Sequence, residues 1–300
     1  MNEPLVSIVI VSYNTKKLLQ ECLVSIYKHT PLKLFEIIVV DNASQDSSSQ
    51  MVEKNFPKVK LIKNQKNLGF GQANNQALKI AQGKYFLFLN SDTKLTEDSI
   101  DIIHRYLKRH PETAIVGCKL KNPDGSPQQS AGFFPTLPRI LFWAFFLDDL
   151  PLLRNLIKPY QISYKKFYET KHEVDWITGA FFLIKRSIFK NLGGFDKNLF
   201  MYGEEVDFCY RAKKNGFKVL YSPKTSIFHH KFASSTPPQA ILFEFEFLLY
   251  FFKRYKSPWQ LSILKILLKM ACLTRIFLFG IIMGNKQAKI AYEKTLKLVR

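Results

Sequence analysis

Residues 84–93 read KYFLFLNSDT, a short unbroken apolar run that stops abruptly at Asn90-Ser91-Asp92. A run this short, rich in aromatic residues and closed by turn-forming polar residues, predicts a strand at 84–89 buried on both faces. The same signal recurs on either side of it. Residues 5–11 (LVSIVIV), 35–40 (FEIIVV), 58–63 (KVKLIK) and 114–120 (AIVGCKL) read as further strands. Helical spacing separates them at 15–29, 71–82 and 96–109, the last with Thr96 as N-cap. This alternation predicts an α/β fold: a mostly parallel central sheet flanked by helices.

In such a sheet, ligands lie beyond the carboxyl ends of the strands. Three polar clusters stand there: Ser12-Tyr13-Asn14, Asp41-Asn42-Ala43-Ser44 and Asn90-Ser91-Asp92. Each alone is an ordinary turn. Together they mark one rim as a candidate site. Asp92 ends a buried strand, so its carboxylate is rigidly aimed. A hard divalent cation on a phosphoanhydride takes one or two such carboxylates plus phosphate oxygens. Asp41 can accept from an N–H of a nucleoside base. Gly69 and Gly71, in KNLGFGQANN, precede a helix and allow close backbone approach to an anion.

Farther along, Glu204, Glu205 and Asp207 lie within four residues. Clustered carboxylates raise one another's pKa, which suits a general base, although acids are also favoured at a helix start. His229 and His230 follow a short strand at 217–221 and can ligate a metal. Between these points, 121–138 reads as a long loop. Residues 133–157 are unusually apolar, 174–190 are ordered as helix or strand, and 203–215 are helical.

The chain of 300 residues is 47% apolar, enough for a substantial core, and its 27 Phe hint at an apolar surface. Its net charge is +20, and residues 251–300 carry eleven Lys or Arg against Glu293 alone. That asymmetry points to an anionic partner. Nucleic acid is excluded: the charge sits on apolar helices, and no RNA-binding or helix-turn-helix signature accompanies it. Helices at 239–255 and 258–283 predict a C-terminal helical membrane-associating appendage. Lys265 and Lys269 share a face and Arg275 interrupts the apolar run, so an amphipathic helix lying on an anionic membrane surface fits better than a span. The boundaries read as 1–235 for the catalytic domain and 236–300 for the extension. Four isolated cysteines read as packed thiols, and MNEPLVSIVIVSYN has no basic leader. The expected location is cytoplasmic, peripheral at the inner face of the cell membrane.

Taken together these segments resemble the family 2 glycosyltransferases of the GT-A fold, in their rhamnosyltransferase-like branch. The resemblance covers roughly residues 4–232. VSIVIVSYN (6–14) looks like the family's opening strand and VVDNASQDSS (39–48) like its nucleoside-binding segment. NLGFGQANN (67–75) resembles the third motif, and FLNSDT (88–93) the DXD motif. The closest match is WITGAFFLIKRSIF (176–189) followed by GGFDKNLFMYGEEVDFCYRAKKNGFKVLYSP (193–223). The resemblance implies that Ser12, Tyr13 and Asp41 hold the nucleoside, with Asn14, Asn42, Asn67, Gly71, Asn74, Asn90 and Ser91 on the nucleotide-sugar side. It implies that Asp92 binds Mg²⁺ or Mn²⁺, with His229 or His230 completing the metal shell. Glu205 is then the base, Glu204 and Asp207 are its reserves, and Trp176 and Gly179 line the acceptor side. This chain has Glu204-Glu205 where many relatives show Glu-Asp, and Asn at 90 rather than Asp. The implied reaction is inverting transfer from a UDP- or dTDP-sugar to a glycan or polyprenyl-linked acceptor in cell-surface polysaccharide synthesis. A catalytically weak or inactive sugar-nucleotide-binding or scaffold relative is the alternative. A dinucleotide oxidoreductase is disfavoured because no glycine turn follows the first strand.

Overall fold

The apolar run at the start of the chain forms β1 (Val6–Ser12), and the expected alternation follows it. In chain order come α1 (Lys16–His29), β2 (Phe35–Asp41), α2 (Ser48–Asn55), β3 (Lys60–Lys63), α3 (Phe70–Ala77), β4 (Tyr85–Leu89), β5 (Thr93–Leu95), α4 (Ser99–Lys108) and β6 (Thr113–Lys121). Next are α5 (Leu137–Ala144), β7 (His172–Val174), β8 (Phe181–Lys185), α6 (Arg186–Asn191), α7 (Glu204–Lys214) and β9 (Lys218–His229). The chain closes with α8 (Pro237–Tyr255), α9 (Pro258–Arg275), a π-helical segment (Ile276–Ile282) and α10 (Lys286–Leu298). The computed structural model describes residues 4–30, 35–150, 152–153, 156–230 and 236–299. The expected boundary at 235, part of the apolar stretch 133–157 and the start of the N-terminal segment lie outside the described residues.

Among the described residues these nine strands form one sheet in the order β3-β2-β1-β4-β8-β6-β9-β5, with β7 on β9. β3, β2, β1 and β4 are parallel. β8 then enters antiparallel between β4 and β6, and β9 runs parallel to β6. The sheet is therefore mixed, with a parallel half.

Both faces are covered, which is why the strands are apolar at consecutive positions. On one face, Ile8 and Ile10 of β1 and Leu87 and Leu89 of β4 pack with Leu19, Leu23 and Ile26 of α1 and Ile103 and Leu107 of α4. The other face carries a ring cluster: Phe88, Phe182, Phe189, Phe195 and Phe208, with centroids 4.7–6.1 Å apart. All five are buried. A fully buried Phe contributes about 1.5–3 kcal/mol by area. Much of the Phe richness is thus core, rather than the surface that composition hinted at.

Three departures from the sequence reading have physical causes. The strand expected at 217–221 continues to His229. Pro223 cannot donate to a ladder, and it reads as a terminator. Here it sits where the β6 pairing shifts register between Ser222 and Ser226, after which the strand resumes. Residues 174–190 split into β8 and the short helix α6. α2 went unread because it buries only two apolar side chains, Met51 and Val52.

The chain divides into two units, 1–131 with 164–234, and 132–163 with 235–300. The sheet belongs to the first. In the second, α5 packs on α9, and α10 packs on α8 and α9. α9 is capped by Ser257, whose backbone N–H donates to Gln260 Oε1 at 3.2 Å in a capping box, with Pro258 at the first helical position. Arg275, which interrupts the apolar run in the sequence, is a buried packing residue. Its guanidinium lies over the rings of Trp143 and Phe146 at 4.6 and 4.5 Å and donates to the carbonyls of Trp143 and Ala144. No helix among the described residues is long and apolar enough to cross a membrane. The four cysteines are free and buried.

Candidate active site

Register puts the sequence clusters on one rim. Ser12 pairs with Asp41 at the ends of β1 and β2. β8 is antiparallel to β4, so its first residue, Phe181, meets Leu89, and Asn90 N–H donates to Ala180 O at 3.2 Å. The Trp176–Gly179 stretch therefore enters at the same rim. β5 follows Asp92 directly and pairs with the last residues of β9, placing His229 opposite Thr93.

Asp92 and His229 meet there: Nε2 lies 3.2 Å from Oδ1. Both are buried, at 7% and 8% exposure. Gln128 sets the imidazole. Its amide Nε2 donates to Asn122 Oδ1 and His229 O, so its Oε1 accepts, at 2.6 Å, from His229 Nδ1–H. With the ring neutral, Nε2 keeps its lone pair and takes an N–H from Asn90 Nδ2 at 3.1 Å. Nε2 and the Asp92 carboxylate are then two acceptors facing each other, an arrangement that suits a cation between them. An oxygen and an imidazole nitrogen fit Mn²⁺ or Mg²⁺ when phosphate oxygens supply the other ligands. No cluster of three or more His, Cys, Asp or Glu positioned for a metal occurs among the described residues. His230 reaches Asp92 only through its backbone, donating N–H to Asp92 O at 2.9 Å. Of the two histidines, His229 is the one brought to the carboxylate, as side-chain alternation along a strand requires.

The other sequence candidates divide into orphaned groups and committed ones. Asp41 Oδ2 accepts from Ser44 N–H at 3.2 Å, while its buried Oδ1 has no partner among the described residues. Asn74 donates to Phe70 O at 2.9 Å and leaves its Oδ1 unpaired among the described residues. Glu204 is 3% exposed, and its Oε2 has no partner among the described residues. Each of these three atoms is open to a donor from a ligand. Ser12, Thr15 and Ser91 form a hydroxyl chain linking the ends of β1 and β4, with steps of 2.9 Å. Tyr13 is half-exposed.

Asn42 is committed to the scaffold: it donates to Asn67 Oδ1 and Gly69 O, and its own Oδ1 accepts from Asn64 and Leu68 N–H. Asn14 is in the left-handed region (φ 54°) and accepts from Gln45 N–H at 2.7 Å. A Cβ on Gly71 would sit 3.2 Å from Phe195 Cβ and 3.6 Å from Glu204 Cβ, so that glycine is explained by close packing against the approach to α7. Trp176 is buried at 9% exposure, and a Cβ on Gly179 would meet the Phe70 ring at 3.1 Å.

At the start of α7, burial and the neighbouring Glu205 push the Glu204 carboxyl well above its usual range. Burial likewise pushes Glu205 up to about 7, against the N–H that Gly203 donates to its Oε2 at 3.1 Å. Asp207 is fully buried and held by Arg211 Nε at 2.8 Å. Arg211 also donates to Leu192 O and Gly194 O, so this pair clamps the turn at 192–194. Sequence reasoning missed Gln128 and Arg211. Gln128 lies in a Pro- and Gly-rich loop whose tertiary partner no local pattern reveals.

The family described as "Glycosyl transferase family 2" matches residues 7–193. An N-acetylglucosaminyl-diphospho-decaprenol L-rhamnosyltransferase of Mycobacterium tuberculosis is 30% identical over 75% of this chain and 75% of its own length. Among solved structures, residues 1–349 of TarS from S. aureus match with a TM-score of 0.53 at 18% identity, over 98% of this chain and 90% of that one. The mannosyltransferase PcManGT of Pyrobaculum calidifontis, solved with GDP-Man and Mn²⁺, matches with a TM-score of 0.56 at 17% identity, over 99% of this chain and 75% of that one. At these identities the structures bear on the fold alone.

Proposed function

The chain belongs to glycosyl transferase family 2 and is a glycosyltransferase, and from that premise we propose that it moves a sugar, with inversion, from a UDP- or dTDP-linked donor to a glycan or polyprenyl-linked acceptor in cell-surface polysaccharide synthesis. The observation that carries this reading is the facing pair of Asp92 and His229 at the rim where Asp41, with an orphaned carboxylate oxygen, ends β2.

Asp41 Oδ1 accepts an N–H of the nucleobase, satisfying a buried atom that otherwise has no partner. Asp92 and His229 hold a divalent cation, Mg²⁺ or Mn²⁺, which when bound neutralises the diphosphate leaving group. Gln128 keeps the His229 lone pair turned toward Asp92. Glu205 takes the proton from the acceptor hydroxyl, and a carboxyl titrating at about 7 is matched to that task at neutral pH. Glu204 is the reserve base. Trp176 and Gly179 line the acceptor side. The enzyme works on the cytoplasmic side of a membrane, at an anionic surface, where a lipid-linked acceptor would be presented.

The test is transfer, or donor hydrolysis, across a panel of UDP-, dTDP- and GDP-sugars with Mn²⁺. Wild-type turnover of one donor, abolished in Asp92→Ala with unchanged melting, supports the reading. Wild-type rates in Asp92→Ala overturn the metal role.

A further inference from the structure

The uncovered surface of α9, continued by Phe277 in the π-helical segment that follows it, carries an apolar stripe. Trp259, Ile263, Ile266, Met270, Leu273 and Phe277 are all exposed, four of them at 55–60% (Trp259, Ile266, Leu273 and Phe277). Their spacing of four and three residues in alternation keeps them on one helical face. The opposite face, with Leu264, Leu268, Ala271, Cys272 and Arg275, is buried in the second unit. At 1.5 Å per residue the stripe runs roughly 27 Å. A lone exposed apolar side chain is normal, but an aligned row of six large ones marks a covered surface.

Charge identifies the cover. Residues 247–292 contain no Asp or Glu. By helical spacing Lys265 and Lys269 lie along one flank of the stripe, and the exposed Lys253 and Lys286 stand before and after the helix. The one cation of α9 that points inward, Arg275, has its hydrogen bonds within the unit and takes no part. An apolar row edged by lysines and free of acids suits an interface with acyl chains below and anionic headgroups beside it.

We propose that this face of α9 is a docking surface for an anionic lipid bilayer, with Trp259, Ile266, Leu273 and Phe277 entering the headgroup–acyl boundary and Lys265 and Lys269 resting on the headgroups. It deepens the proposed work at a membrane face and rests on that reading. The test does not require sugar transfer, so the two can fail separately.

The full chain is floated with vesicles of phosphatidylcholine containing 30% phosphatidylglycerol, and with pure phosphatidylcholine. Wild type should float with the anionic vesicles, at least tenfold less with the neutral ones, and less as salt rises. Ile266→Asp with Leu273→Asp should lower flotation at least tenfold while melting and donor hydrolysis stay at wild-type values. Should that pair of substitutions unsettle the helix, Lys265→Glu with Lys269→Glu, at surface positions, should lower anionic flotation alone. A wild-type chain that does not float, or apolar-stripe variants that float as well as it does, overturns the proposal. So does self-association that Ile266→Asp with Leu273→Asp abolishes in the absence of lipid binding, which would make a second copy the cover. Flotation intact with no turnover of any donor overturns the proposed function and leaves the docking surface standing.

Discussion

His229 Nε2 faces Asp92 Oδ1 at 3.2 Å, and Gln128 holds the opposite ring nitrogen at 2.6 Å. With the ring neutral these are two acceptors, which repel at this distance unless a proton or a metal cation lies between them. Asp92→Ala should therefore abolish transfer, and His229→Gln should weaken it less. Gln128→Ala leaves both ligands in place and frees the ring, so it should cost about 10–100-fold in metal affinity or activity. Mn²⁺ titrations of melting temperature and of turnover check all three. Equal Mn²⁺ midpoints in wild type and Gln128→Ala would remove the orienting role.

A base must be ionised to work. Burial pushes Glu205 up to about 7, so turnover per unit donor should fall about tenfold per pH unit below that value and level off above it. Glu205→Gln should abolish the limb along with most of the rate. If the limb survives at reduced rate, the base is Glu204.

Glu204 makes an opposite demand on stability. Its folded-state pKa is raised, so the native fold holds the proton more tightly than the unfolded chain. That contribution is complete below the ordinary value of 4.5 and is lost as pH rises through the folded value. Glu204→Gln mimics the neutral form and should stabilise at pH 8, by about 1–3 kcal/mol for a buried orphan. At pH 4 the two proteins should unfold alike. Urea unfolding at both pH values measures this, and a gain confined to pH 4 contradicts it.

Much of this was readable in advance because its physics is local. Consecutive buried positions in Val6–Ser12 and Tyr85–Leu89 announce strands covered on both faces, and Asp41 and Asp92 stand where those strands end. The sequence narrows the partner of Asp92 only to two adjacent histidines. Choosing His229 needs the strand to continue beyond Pro223 and pair with Thr93, which a local pattern cannot supply. The acids at 204–207 read as one cluster. The structure separates them because Arg211, a helical turn later, takes Asp207 and leaves Glu204 and Glu205 without a cation among the described residues.

That separation has a consequence for Asp207. Removing one member of a buried ion pair leaves the other charge uncompensated, at about 3–5 kcal/mol. Asp207→Asn should lose stability on that scale in urea unfolding. The molecules that remain folded should keep the pH limb of the wild type. Loss of the limb with stability intact would place Asp207 in the chemistry.

The turn before α3 depends on one glycine for a steric reason. Gly69 has φ +78°, and a Cβ there would lie 2.1 Å from Phe200 O, the atom that accepts Phe70 N–H at 2.8 Å. Gly125 has a similar φ of +83° with nothing among the described residues within 4 Å of its Cβ position. The two separate backbone strain from collision. Gly125→Ala should cost only the strain of a left-handed residue, about 1–2 kcal/mol. Gly69→Ala adds a clash with backbone that cannot rotate away, and should cost more than about 3 kcal/mol. It should also reduce turnover with no reacting group altered, because Phe200 leads directly into the helix that starts at Glu204. Thermal melts of both variants beside wild type decide it: if Gly69→Ala melts with Gly125→Ala, the close approach at Phe200 is not what requires glycine.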